Sequence, residues 1–177
     1  MKVMLARLKA KIEKIKIVVT DVDGVLTDTT VYYTPEGDYM RGFSVRDGMG
    51  VERLRHLFNI ETVIISGEAS DSIKKRATKL GIKEVHLGIK DKHQTLKVIL
   101  KKRKHDYTDV AYIGDDLNDL EVLKLVGLSC CPSDAYEDVK KKVDIVCRNK
   151  GGHGAFRELA ELIIKVKSAS KSCEKNI

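Results

Sequence analysis

The stretch VVTDVDGVLTD, residues 18–28, sets Asp21 and Asp23 two apart directly after an apolar run. Carboxylates at the end of a buried strand are costly to desolvate unless a cation, hydrogen bonds or chemistry compensate. More acids, Asp115, Asp116 and Asp119, stand in GDDLND, again after an apolar run. Gathered at one edge, such acids repel one another unless a hard cation joins them. Magnesium suits oxygen donors and keeps waters that a phosphate can replace. In that setting Asp21 could attack phosphorus, a known use of carboxylate nucleophiles. Asp23 could protonate the leaving oxygen and then activate water. Gly24 removes side-chain bulk where the backbone must turn around a phosphate. Ser66, standing before Gly67, can donate a hydrogen bond to a phosphoryl oxygen, and Lys92 can neutralise charge on it. Lys92 also opens a helical pattern whose N-terminal amides favour an anion. A plainer reading makes Asp21 and Asp23 a turn and cap, and lets Asp116 and Asp119 cap a helix beginning at Leu117.

The elements that must carry these residues follow from periodicity. Residues 15–20, 61–66, 83–87, 109–114, 127–131 and 143–147 are short runs rich in Val and Ile without clear alternation. That pattern suits strands covered on both faces. Helical spacing fills 48–58, 70–80, 92–103, 117–126, 135–141 and 155–166. Strand–helix repetition at this rhythm predicts an α/β fold with an open, mainly parallel sheet and helices on both faces. In such sheets ligands bind outside the carboxyl ends of the strands, which is where Asp21, Asp23, Ser66, Gly67 and Asp115 fall. Residues 30–45 break the rhythm. Two β-prone segments flank TPEGD and predict a hairpin flap, too short for a separate cap domain. Residues 1–14 read as an amphipathic helix with Val3, Leu5, Leu8 and Ile12 on one face. The polar residues 167–177 read as a flexible tail.

Composition narrows the class. A chain of 177 residues, 42% hydrophobic and 33% charged, fits one globular domain with a real core. No apolar run approaches the ~20 residues of a membrane span, and lysines interrupt the N-terminus too often for a signal peptide. A net charge of +7 invites a nucleic-acid partner, yet KKRKH (101–105) is the sole dense basic run and no stacking aromatics accompany it. The excess suits an anionic small-molecule substrate instead. Cys130, Cys131, Cys147 and Cys173 form no CxxC pair and read as free thiols of a cytoplasmic protein.

Taken together, DVDGVLTD, IISG, Lys92 and GDDLND resemble the four motifs of the haloacid dehalogenase superfamily of phosphatases. The resemblance implies a Rossmann-like fold, Asp21 as nucleophile, Asp23 as general acid and base, and Ser66 and Lys92 on the phosphoryl group. It also implies Mg2+ on Asp21, the Asp23 carbonyl and Asp115, with Asp116 and Asp119 ordering the site. Over residues 15–166, FSVRDGMG, GDDLNDLEVLKLVGLS and GGHGAFRELAELI are similar to the capless phosphatases of 2-keto-3-deoxy sugar acids. That group spans eight-carbon octulosonate 8-phosphate and nine-carbon sialic-acid-type 9-phosphate enzymes. Its domain also recurs, at times degenerate and non-catalytic, in CMP-sialate synthetases. The resemblance implies a homotetramer in which a neighbour helps close each site. Within SGEASDSIKKRATKL, Glu68, Arg76 and Lys79 match the nine-carbon enzymes, so the expected substrate is a nine-carbon acid phosphate, with octulosonate 8-phosphate as the alternative. VRDG is closer to the octulosonate pattern. Arg46 and Asp47 could reach substrate, fix the flap or pair with each other. His153 is a further substrate-contact candidate, where many relatives have arginine.

Overall fold

The computed structural model describes residues 2–174. Six parallel strands form the sheet: β1 (Ile17–Thr20), β4 (Glu61–Ile65), β5 (Glu84–His86), β6 (Val110–Ile113), β7 (Leu128–Cys131) and β8 (Ile145–Val146). Their order is β5-β4-β1-β6-β7-β8. The chain leaves β1 toward one edge through β4 and β5, then returns to its other side with β6. The strand order therefore reverses at β1, and a crevice opens between the carboxyl ends of β1 and β6, where open α/β sheets place their ligands.

Successive strand residues face opposite sides. Val18, Ile64, Ala111 and Ile113 join Leu54, Ile73, Phe156 and Leu159 in one core. Ile17, Val19, Val63, Ile65, Val110 and Tyr112 join Leu96, Ile99, Val122 and Val139 in the other. Two-sided burial is why the strands read as unbroken apolar runs. The first core is covered by α1 (Lys2–Lys14), α2 (Val45–Phe58), α3 (Asp71–Lys79) and α7 (Ala155–Glu174), and the second by α4 (Lys92–Arg103), α5 (Leu120–Leu125) and α6 (Glu137–Lys140). The hairpin is β2 (Val31–Thr34) with β3 (Gly37–Arg41), antiparallel and outside the main sheet.

Three expectations change. The helix expected over 117–126 is divided, with a 3-10 turn at Leu117–Asp119 ahead of α5. Residues 167–174, expected as flexible tail, continue α7, because Lys167 donates 2.7 Å to the Glu13 carbonyl and Ser170 2.6 Å to the Glu13 carboxylate. On α1, Ile12 is buried and Leu8 packs on the core, but Leu5 is 57% exposed, while the Val3 and Cys173 side chains lie outside the described residues. Among the described residues no helix is long and apolar enough to cross a membrane.

Candidate active site

The site is built on the turn after β1. Asp21 is held in register by its amide on the Ile113 carbonyl at 3.0 Å, and its Oδ1 accepts from the Val22 amide at 2.7 Å. The chain then folds back, with the Val25 and Leu26 amides both donating to the Val22 carbonyl. Gly24 has φ +85, and a Cβ there would fall 2.0 Å from Asp115 Oδ2. Glycine is thus required both by the backbone and by the carboxylate laid against it. From the other side, the Gly152 amide donates to the Val25 carbonyl at 2.9 Å, and a Cβ on Gly151 would sit 1.9 Å from the Gly24 oxygen. The GGHG turn is a brace for the aspartate turn.

Lys92 is 2% exposed at the first position of α4, where Asp91 caps the helix. Its Nζ lies 2.9 Å from Asp21 Oδ2 and 2.8 Å from Asp119 Oδ1. Burial works against its charge, but the two carboxylates outweigh that and raise its pKa. Asp119 is fully buried and further accepts from the Tyr112 hydroxyl at 2.5 Å and from the Asp115 amide at 3.2 Å. Those donors fix the Asp119 carboxylate between β6, Lys92 and the 3-10 turn. Asp116 is exposed and caps the 3-10 turn through the Leu117 amide.

Negative charge remains in excess. Asp21, Asp115 and Asp119 each present an oxygen within 4.8 Å of the others, with Lys92 as the cation between two of them. Burial, then Asp119, pushes the Asp21 pKa up to about 7 despite Lys92. Burial, then Asp21, Asp119 and Asp116, pushes Asp115 to about 8. Asp115 Oδ1 is buried with no hydrogen-bond partner among the described residues. Hard oxygen donors, crowded acids and an unpartnered buried oxygen fit a divalent cation such as magnesium.

The remaining candidates divide. Ser66 is 1% exposed at the carboxyl end of β4, with its Oγ accepting from the Glu68 amide at 3.2 Å, and Gly67 follows at the surface. Glu68 is exposed and lies 3.8 Å from Arg41 Nη2. Arg41, which sequence reasoning passed over, has a fully enclosed side chain whose Nε donates 2.8 Å to Asp23 Oδ1. Its signal was weak, a single arginine in a segment read only as a hairpin flap. Arg76 contacts Ser44 and Phe43, two residues that line a cleft at the flap. It donates 2.8 Å to the Ser44 carbonyl and lies over the Phe43 ring, fixing where the flap enters α2. Lys79 is exposed at the far end of α3, about 13 Å along the axis from the Ser70 cap, and so lies toward the amino edge of the sheet. Among the described residues Asp47 forms no salt bridge with Arg46, and its amide donates to Ser44 Oγ at 3.4 Å. It is buried and accepts the Gly154 and Arg157 amides at 3.1 and 2.8 Å, capping α7, with burial raising its pKa. Arg46 and His153 are both exposed and share a cleft of about 470 Å³ with Asp28, Phe43 and Gly152.

The family model of the haloacid dehalogenase-like hydrolases matches residues 70–159. The 3-deoxy-D-manno-octulosonate 8-phosphate phosphatase of Haemophilus influenzae is 38% identical over 163 residues, covering 92% of this chain and 90% of that protein. The enzyme of that name from Escherichia coli K12 is 37% identical over 155 residues, covering 88% and 82%. Among solved structures, the Moraxella catarrhalis phosphatase of the same name, in complex with magnesium, phosphate and KDO, superimposes with a TM-score of 0.90 at 32% identity over 97% of this chain and 98% of that one. The names of these relatives match the alternative, octulosonate 8-phosphate, better than the nine-carbon expectation. The chain belongs to the haloacid dehalogenase-like hydrolases, and within them it is a phosphatase.

Proposed function

We propose that this protein hydrolyses 3-deoxy-D-manno-octulosonate 8-phosphate to the free sugar acid and phosphate. The observation that carries the reading is the turn after β1, which sets Asp21 on Lys92 among metal-competent acids and Asp23 two residues beyond. The near full-length likeness to octulosonate phosphatases supports the choice of sugar. Asp21 attacks phosphorus, and Asp23 gives its proton to the departing ester oxygen. Asp23 then takes a proton from the water that cleaves the aspartyl-phosphate. Lys92, the Ser66 hydroxyl and the first amides of α4 bind the phosphoryl oxygens. Asp21, Asp115 and the Asp23 carbonyl would hold magnesium, which supplies the positive charge that lets a phosphate dianion approach three carboxylates. Arg46 and His153, which share a cleft, would meet the sugar end. We further infer a homotetramer, supported by the exposed Tyr32, Tyr33 and Met40 of the hairpin.

The test is phosphate release from the eight-carbon and the nine-carbon sugar-acid phosphates, with magnesium and with excess chelator. The reading expects a higher kcat/KM on the eight-carbon ester and background rates in chelator. A preference for the nine-carbon ester overturns the substrate assignment, and full turnover in chelator overturns the metal.

A further inference from the structure

Arg41 ends the second strand of the hairpin, where its backbone is registered against Val31. Its side chain is 0% exposed, so its charge requires a partner in place. One partner is an oxygen of Asp23, with Glu68 at 3.8 Å from Nη2: Nε donates 2.8 Å to Asp23 Oδ1, and the Thr27 hydroxyl reaches the same atom at 3.4 Å. The other oxygen, Oδ2, is buried and has no hydrogen-bond partner among the described residues. One half of the carboxylate is anchored and the other half is left for chemistry. A side chain that must give and take a proton within one cycle needs this asymmetry. With both oxygens engaged it could not reach the ester oxygen, and with neither it would sample several rotamers.

We propose that Arg41 is a positioning residue for Asp23, holding Oδ1 so that Oδ2 is the atom that exchanges the proton. The inference rests on the proposed function, with Asp23 as acid and base. In the first step an Asp21 oxygen bonds to phosphorus, the ester P–O bond breaks, and the proton on Oδ2 passes to the departing alkoxide. In the second step water bonds to phosphorus, its proton passes to Oδ2, and the Asp21–phosphorus bond breaks. The hairpin therefore contributes to proton transfer as well as cover, because the residue that orients the acid belongs to it.

The leaving group separates this role from a structural one. An alkoxide departs poorly without a proton, whereas 4-nitrophenolate departs readily. Arg41→Gln should lower kcat/KM on octulosonate 8-phosphate, which reports departure of the leaving group and not the later water step common to both esters, by about tenfold or more, part of the ~10²–10⁴-fold attributed to general acid catalysis. Its loss on 4-nitrophenyl phosphate should be much smaller. Arg41→Lys keeps the charge but loses the rigid fork, so it should show the same bias at reduced size and carries the test if the glutamine variant does not fold. Adding Arg41→Gln to Asp23→Asn should cost little more than Asp23→Asn alone. Equal losses on the two esters, or none, overturn the proposal. Asp23→Asn serves as the reference in the same assay. If it turns over both esters normally, the acid–base reading fails, and the proposal with it. If it shows the leaving-group bias and the Arg41 variants do not, only the proposal fails.

Discussion

At the scale of single residues, the site is a problem of uncompensated charge. Lys92 touches Asp21 and Asp119 but not the unpartnered oxygen of Asp115. Asp21→Asn keeps the shape of the side chain and removes its charge and most of its nucleophilicity. Phosphate release should fall to background while the far-ultraviolet dichroism stays that of the parent. Near-normal turnover in the purified variant would contradict the role of Asp21. The raised pKa values of Asp21 and Asp115, about 7 and about 8, have a consequence for stability. Between pH 4 and 8 the folded, metal-free protein binds more protons at these carboxyls than the unfolded chain does. Its stability therefore falls as pH rises through that window. A cation held by the acids removes the penalty. Without metal, Tm should drop from pH 5 to pH 8. Magnesium should raise Tm at pH 8 by at least a few degrees, with each kcal/mol worth ~2–4 °C at this size, and by less at pH 5. A magnesium shift equal at both pH values would show that these carboxyls do not govern metal affinity.

At the scale of elements, the nucleophile turn is shaped by what packs on it. Gly151 approaches the Gly24 oxygen so closely that a Cβ would lie 1.9 Å away, backbone against backbone, with no flexible side chain to yield. Gly151→Ala should displace the turn, so kcat should fall by more than tenfold while Tm drops by only a few degrees, consistent with the sensitivity of catalysis to ångström misplacement. Unchanged turnover would show that the GGHG turn does not set the position of Asp21. The strands, most helices and the placing of acids at strand ends were legible because each rests on local pattern: Val and Ile runs, helical spacing, glycines at turns. For Asp119 the local pattern offered only a cap, and the ordering role came from the family resemblance, because its contacts with Lys92 and Tyr112 lie outside that motif. What stayed hidden depends on contacts remote in sequence. Arg41 meets Asp23 across the hairpin, Asp47 caps a helix that begins at Ala155, and Arg76 serves Ser44. Residues 167–174 read as tail because their polarity says nothing of Glu13, the partner that extends the helix.

At the scale of the whole molecule, size of cleft and place of chemistry separate. A cleft of about 650 Å³ lies at the amino edge of the sheet, among Glu13, Lys16, Phe58, Lys167 and Lys171. Its lysines are already engaged, Lys16 by Asp109, Lys167 by the Glu13 carbonyl and Lys171 over the Phe58 ring. The opposite edge carries the acids and, beside them, the hairpin. A two-stranded hairpin standing outside the main sheet is marginal by itself. This one presents Tyr32 at 53%, Tyr33 at 69% and Met40 at 47% exposure, an apolar face that one chain leaves uncovered. Arg41 connects that face to Asp23, so association through the hairpin would steady the proton-transfer residue as well as shield the crevice. Sedimentation of the parent protein at micromolar concentration should therefore give a tetramer. Tyr32→Glu with Tyr33→Glu should shift it to smaller species, because carboxylates cannot be buried unpaired at a contact between copies. In the dissociated form turnover of the sugar-acid phosphate should fall severalfold further than that of 4-nitrophenyl phosphate, which needs less cover and no protonated leaving group. A parent protein that sediments as a monomer with full sugar-phosphate turnover would show that the hairpin completes the site without a neighbour.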